Sequence, residues 1–265
     1  MKTALSLAAL VGLIGSGFLY VGSAQTESEE TIPPQHPPRV MKDTSDDSLT
    51  GDFWVRHVGD RRAIIRDGNL SPAIALDSVS DIPHLYAIGP ISGLRGEITI
   101  YDSDVSIATI RDDAPHVTST MDEKAIFLVW ASADEWTTVR IPQSLTGLGE
   151  LEAFVRSAAR EKGLSLAQPF PFRVEGRVSS LTYHIIFKTS QEPHDRAEHR
   201  RAKRRFSESD APVRMVGFWA DEAGEGVYTH MGMRTHVHFE REDRTTSGHV
   251  DDLVIQPGAT LYLPK

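Results

Sequence analysis

Thr235-His236-Val237-His238-Phe239, then a polar run over residues 240–248, then His249-Val250-Asp251-Asp252, is the stretch on which the reading of this chain turns. On an extended strand successive side chains alternate faces, so His236 and His238 share one face while Thr235, Val237 and Phe239 share the other. The polar run reads as a turn and residues 250–255 as the returning strand. A tight turn centred on Asp243-Arg244 sets His238 directly opposite His249 and His236 opposite Asp251. Opposed side chains on one face hold their Cβ atoms about 4.5–5.5 Å apart. Three imidazoles then converge, which suits zinc or another divalent transition metal with a metal–nitrogen distance of about 2.0–2.1 Å. Asp-Arg is not a favoured two-residue turn pair, so a slip of one residue stays open, and it would turn His249 to the opposite face. The plain alternative is three unrelated histidines on a half-exposed hairpin. Three protein ligands leave coordination positions open, which is a catalytic rather than a structural pattern.

Composition narrows the function classes. The 265 residues suffice for one large domain or two packed halves, and 40% hydrophobic with 25% charged residues is ordinary for a globular protein. A net charge of −9 argues against nucleic acid as the main partner. The one basic run, residues 196–205, reads as a solvated loop or helix face. There is no cysteine, so neither a disulfide framework nor a lipoprotein anchor is available.

The amino terminus carries the compartment signal. Lys2 precedes an apolar run over residues 4–21, and Gly22-Ser23-Ala24 supplies the small residues of a cleavage site. Residues 1–24 therefore read as a signal peptide of an exported, periplasmic or secreted protein. The run is also long enough for an uncleaved anchor. Residues 25–50, polar, acidic and proline-bearing, read as a disordered linker. Residues 51–265 are the folded domain.

Within that domain the pattern predicts short strands at 53–58, 63–66, 73–75, 97–101, 105–110, 125–131 and 136–141. It continues with 172–178, 183–188, 213–220, 226–230, 235–239, 250–255 and 260–263. One amphipathic helix is expected over 144–163, with Leu148, Leu151, Phe154, Val155 and Ala158 on one stripe and Gly163 as its stop. The expected class is α+β and β-dominated: mixed or antiparallel sheets in a two-part core with one main helix.

Three stretches resemble the α-acetolactate decarboxylase family in the family's order. They are Leu85-Tyr86-Ala87-Ile88-Gly89 running into Gly93-Leu94-Arg95-Gly96-Glu97-Ile98, then Phe172-Arg173-Val174-Glu175-Gly176, and then the hairpin His236-x-His238-Phe239, Glu242-Asp243-Arg244, Gly248-His249-Val250 and Asp252. The resemblance covers about residues 82–255. It implies a carboxy-lyase that takes 2-acetolactate to acetoin and carbon dioxide with a divalent metal on His236, His238 and His249. It also implies Arg173 as the active-site arginine, set against the substrate carboxylate or a developing enediolate, and Glu97 as the acidic residue that orients substrate or moves a proton. The family's further acidic residue, from a C-terminal tail, has no counterpart up to Lys265, so the expectation is an enzyme slower than the family norm, or one in which water or Glu97 delivers the proton. The implied partner is a small-molecule hydroxy-keto acid. Nucleic acid is not expected, nor a membrane beyond the export signal, and a homodimer is left open. The alternative is a non-catalytic or differently specific metal- or small-molecule-binding relative. Asp251 is a candidate to accept a hydrogen bond from a metal-bound imidazole; His230 precedes the metal strand and is a candidate neighbour of the site, though a lone histidine reads first as structural, and His184, His194 and His199 read as surface residues.

Overall fold

Alternating apolar and polar residues, broken by short turn sequences, make strands the dominant element of this chain. The computed structural model describes residues 53–59 and 61–265; the segments expected to be a signal peptide (1–24) and a linker (25–50) lie outside the described residues. In chain order the elements are β1 (Phe53–Val58), α1 (Arg61–Arg66), β2 (Ile74–Ala75), β3 (Leu85–Pro90), β4 (Glu97–Tyr101), β5 (Asp104–Arg111), β6 (Ala114–Thr118) and β7 (Lys124–Ala125). Then come β8 (Leu128–Ala133), β9 (Trp136–Arg140), β10 (Leu145–Thr146), α2 (Gly147–Glu161), β11 (Phe170–Ile186) and α3 (Arg196–Ala202). The chain closes with β12 (Lys203–Trp219), β13 (Thr235–Arg241), β14 (Ser247–Ile255) and β15 (Thr260–Pro264).

The fold is β-dominated and two-part, as the sequence pattern implies. A six-stranded sheet runs β1-β8-β3-β4-β5-β6, and a seven-stranded sheet runs β10-β14-β13-β12-β11-β15-β9. Every strand pairing in the two sheets is antiparallel. In the second sheet β14 also pairs with β11, so β11, β12, β13 and β14 close on themselves. That closure positions the site. The two 17-residue strands β11 and β12 are long enough to serve both β15 and β13 at one end and β14 at the other.

Period-two alternation sorts the side chains of the closed sheet. Phe172, Val174, Met215, Val237, Phe239 and Val250 enter a core capped by Leu151, Val155 and Ala158 of α2. The alternate face meets the first sheet, where Val216, Phe218 and Ile186 pack with Tyr86, Ile88, Tyr101 and Val129. His236 and His238 lie on this second face, between the sheets. Burying apolar area at about 25 cal/mol per Å² makes both layers strongly favourable, and it takes the polar groups between them out of water.

Some elements depart from the sequence expectation. Residues 61–66 form a helical turn, not a strand, and residues 226–230 lie in a loop whose only ladder contact is an isolated bridge between Glu225 and Thr229. The predicted strands at 172–178 and 183–188 belong to one continuous β11. α2 keeps the predicted stripe and ends before Gly163, which takes a positive φ of 80°. Among the described residues no helix is long and apolar enough to cross a membrane.

Candidate active site

The hairpin that opened the sequence analysis holds its in-register form. His238 pairs with His249, Phe239 with Gly248 and Glu240 with Ser247. The turn closes through Arg244 N–H donating to Arg241 O at 2.8 Å, with Arg244 in the left-handed region at φ 59°. Beyond His249 the strand leaves β13 for β11, so Asp251 does not oppose His236 as expected. On its other side His249 pairs with His184, and beyond it Tyr183 pairs with Val250 and Thr182 with Asp252, which leaves Asp251 as the extra residue of a bulge. A bulge re-aims the side chain it carries. Here it brings Asp251 Oδ1 to 2.8 Å from His184 Nδ1 and 4.0 Å from His249 Nδ1.

Five imidazoles gather on this face. Ring centroids stand 4.4 Å apart for His184 and His249, 5.0 Å for His236 and His249, 5.2 Å for His238 and His249, and 4.8 Å for His230 and His249. His230 arrives from the loop before β13, and its Nε2 lies 2.7 Å from His249 Nε2. Ring nitrogens of His230, His236 and His249 fall within 4.8 Å of one another, as do donor atoms of His184, His249 and Asp251. His238 is fully buried, with Nδ1 3.3 Å from Thr99 Oγ1. Thr99 in turn accepts from Ser247 Oγ at 2.9 Å.

Glu97 reaches the cluster from the first sheet. It begins β4 on the same face as Thr99 and Tyr101, and all three side chains meet the second sheet. Its carboxylate is 3% exposed. Oε1 accepts the Ile186 N–H at 3.1 Å and stands 3.9 Å from His184 Nε2, while Oε2 stands 3.9 Å from His238 Nε2. Gly96, just before it, lets β4 lie close on β5: a Cβ there would sit 2.4 Å from the Ala108 carbonyl oxygen. The cluster opens into a small cavity of about 50 Å³ lined by Glu97, His184, His230, His236 and His249 with Leu94, Phe127 and Ile186.

Electrostatics favour the neutral form of His184 and His249. Burial, reinforced by the neighbouring histidines, holds His249 well below its ordinary value. Burial also lowers His184, against the pull of Asp251. Burial works to raise Asp251, yet its hydrogen bond from His184 and the nearby Lys203 and Arg205 charges leave it lowered and ionised. Neutral imidazoles beside an ionised carboxylate are the protonation states a divalent transition metal requires of its ligands. The donor set therefore fits such an ion.

Arg173 is placed differently from these groups. It pairs across Val216 to His238, two strand spacings or about 10 Å away. Its guanidinium lies 4.3–5.7 Å from the ring centroids of Tyr262, Trp136, Tyr101 and Tyr86. It donates to Tyr86 Oη at 3.1 Å and is not among the described residues lining the pocket. Glu175 accepts from Tyr101 Oη and from Tyr262 Oη, completing a box around the arginine. The expected surface residues also move inward. His184 belongs to the cluster, His199 lines the pocket, and His194 is buried against α3. No spacing rule pointed to His184, because the contact that brings it in spans 67 positions, whereas His230, just before the metal strand, does lie beside the cluster.

An all-antiparallel two-sheet domain with a buried glutamate set against a histidine cluster defines a class of enclosed, metal-competent β-protein sites. The sequence profile of alpha-acetolactate decarboxylase matches residues 86–262, and the chain belongs to that family. Among solved structures it is similar to alpha-acetolactate decarboxylase from Bacillus subtilis strain 168, with TM-score 0.66 and 18% identity over 80% of this chain and 85% of that one. The enzyme from Bacillus subtilis subspecies spizizenii gives TM-score 0.66 and 19% identity over 80% and 86%. A Staphylococcus aureus protein of unknown function described as similar to alpha-acetolactate decarboxylase gives TM-score 0.63 and 16% identity over 80% and 84%. At these identities the likeness is one of fold. No curated protein sequence matches the chain.

Proposed function

We propose that the chain is a metal-dependent carboxy-lyase that converts 2-acetolactate to acetoin and carbon dioxide. The observation that carries this is the convergence of Glu97 with a cluster of buried histidines, His184 and His249 among them held toward the neutral form, in a member of this family. His236, His238 and His249 would hold zinc or a similar divalent ion. His238 is preferred to His230 as the third ligand because Thr99 fixes its Nδ1 and so its orientation, the arrangement typical of a ligating imidazole. When bound, such an ion supplies Lewis acidity toward the substrate's hydroxyl and carbonyl oxygens.

The protein's own groups do the rest. Breaking the carbon–carboxylate bond releases carbon dioxide and leaves an enediolate, which must gain one proton at carbon to become acetoin. Glu97 is the group in the pocket suited to that transfer. Its Oε1 is fixed by the Ile186 N–H, and Oε2 faces His238. Leu94, Phe127 and Ile186 keep water from competing for the carbanion. Arg173 takes a supporting part, holding Tyr86 and Tyr101 of the first sheet against the second. We place the catalyst outside the cytoplasm on the strength of residues 1–24, and the exported protein is expected to begin near Gln25 by N-terminal sequencing.

Glu97→Gln keeps the shape and removes the titratable proton. Turnover of 2-acetolactate should fall by about 10²–10⁴ with metal content unchanged. Wild-type turnover in this variant would remove Glu97 from the chemistry.

A further inference from the structure

Beyond the groups given roles above, one cation reaches the pocket. Lys203 opens β12 directly after α3 and pairs with Ile186 of β11. Ile186 lies two residues from His184, so the pleat sets Lys203 on the face that carries the histidines. It is half-buried and lines the pocket together with Glu97, His184 and His249. Among the described residues lining the pocket it is the only lysine or arginine. The neighbouring strand cation, Arg205, stands 3.5 Å from Asp251 and is 56% exposed, and Arg173 is held in its aromatic box. The charge of Lys203 acts on both His184 and Asp251, which sets the ammonium within electrostatic reach of the cluster.

We propose that Lys203 selects carboxylate-bearing ligands, its ammonium receiving the carboxylate of a small hydroxy-keto acid beside the histidine cluster. This rests on the decarboxylase reading and names the residue that sets its substrate class. An ammonium is a compact point charge on a flexible stem, suited to a carboxylate that must leave as a neutral molecule. The carboxylate is still held beside the ammonium as its bond begins to break, so the contact serves bound substrate and transition state alike. Its loss is therefore expected in KM and not in kcat.

The test uses the full-length, zinc-loaded protein and two unreactive probes, 2-hydroxy-2-methylpropanoate and its amide, with affinities measured by calorimetry. Wild type should prefer the acid to the amide by roughly tenfold or more. Lys203→Met should lose that preference at unchanged zinc content, while Lys203→Arg and Arg173→Met keep it. With 2-acetolactate, Lys203→Met should raise KM roughly tenfold and leave kcat within about twofold. A Lys203→Met protein that still prefers the acid would overturn the assignment, as would a wild type with no preference. Zinc-loaded wild type that binds neither probe would remove the decarboxylase reading itself, and this inference with it.

Discussion

At the scale of single residues, two kinds of polar group separate by what they touch. His238 is fully buried with one nitrogen fixed by Thr99, whereas His230 hangs from a loop. His238→Ala should weaken zinc binding below one ion per chain, because it removes one of the three proposed ligands, the one whose ring Thr99 orients. His230→Ala should leave zinc bound. Metal analysis of the two purified variants decides between them, and full occupancy in His238→Ala would break the proposed triad. Arg173 gives the opposite expectation. Four aromatic rings surround its guanidinium, and cation–π contacts are worth about 0.5–2 kcal/mol each depending on solvation. Arg173→Met should cost about 1–3 kcal/mol in denaturant unfolding while zinc stays bound; unchanged stability would mean the box contributes nothing. The three hairpin histidines were legible in the sequence because local alternation and one turn relate them. His184 and Lys203 were not, since only the closure of β11 on β14 and the pairing of β11 with β12 bring them to the same face.

At the scale of elements, the hairpin register was legible because residues 235–239 alternate cleanly, and the structure resolves the open question of a slip. The bulge at Asp251 was not legible: nothing local marks where β14 exchanges β13 for β11. That exchange requires close backbone approach at Gly248, where a Cβ would stand 2.8 Å from the Tyr183 ring and 2.9 Å from the His184 carbonyl oxygen. Gly248→Ala should therefore cost about 1–3 kcal/mol and weaken zinc binding together, since it pushes His184 and His249 apart. Wild-type denaturation and zinc content in this variant would contradict the described approach. α3 offers a pH test. Burial, with help from Lys188, lowers His194, while Glu198 and Asp195 oppose the shift and His199 faces it at 3.2 Å. With the folded value below the ordinary one near 6.5, the unfolded segment binds more protons between the two. Stability there falls as pH drops through about 6.5. Amide exchange of residues 196–202, corrected for intrinsic rates, should be less protected at about pH 5.5 than at pH 7.5, and His194→Gln should flatten the difference. An equal pH dependence in the variant would exclude His194 as the cause.

At the scale of the whole molecule, the β-dominated class and the single long helix could be read from periodicity, because both depend on local pattern. The pairing order could not. β11 and β12 each serve several partners, and a continuous strand through Gly176 and the Ser179-Ser180 pair looks from sequence like two separate runs. What this topology achieves is a site between two sheets, with Glu97 and Thr99 supplied by one and the histidines by the other. Neither half holds the chemistry alone. The most direct measurement is carbon dioxide and acetoin release from 2-acetolactate by the zinc-loaded protein, with and without a chelator. The account predicts one carbon dioxide per acetoin at a rate well above the uncatalysed decay, stopped by chelation and restored by zinc. Protein with full zinc occupancy that leaves 2-acetolactate to decay at its uncatalysed rate would contradict it, and would favour a relative that binds its ligand without turning it over.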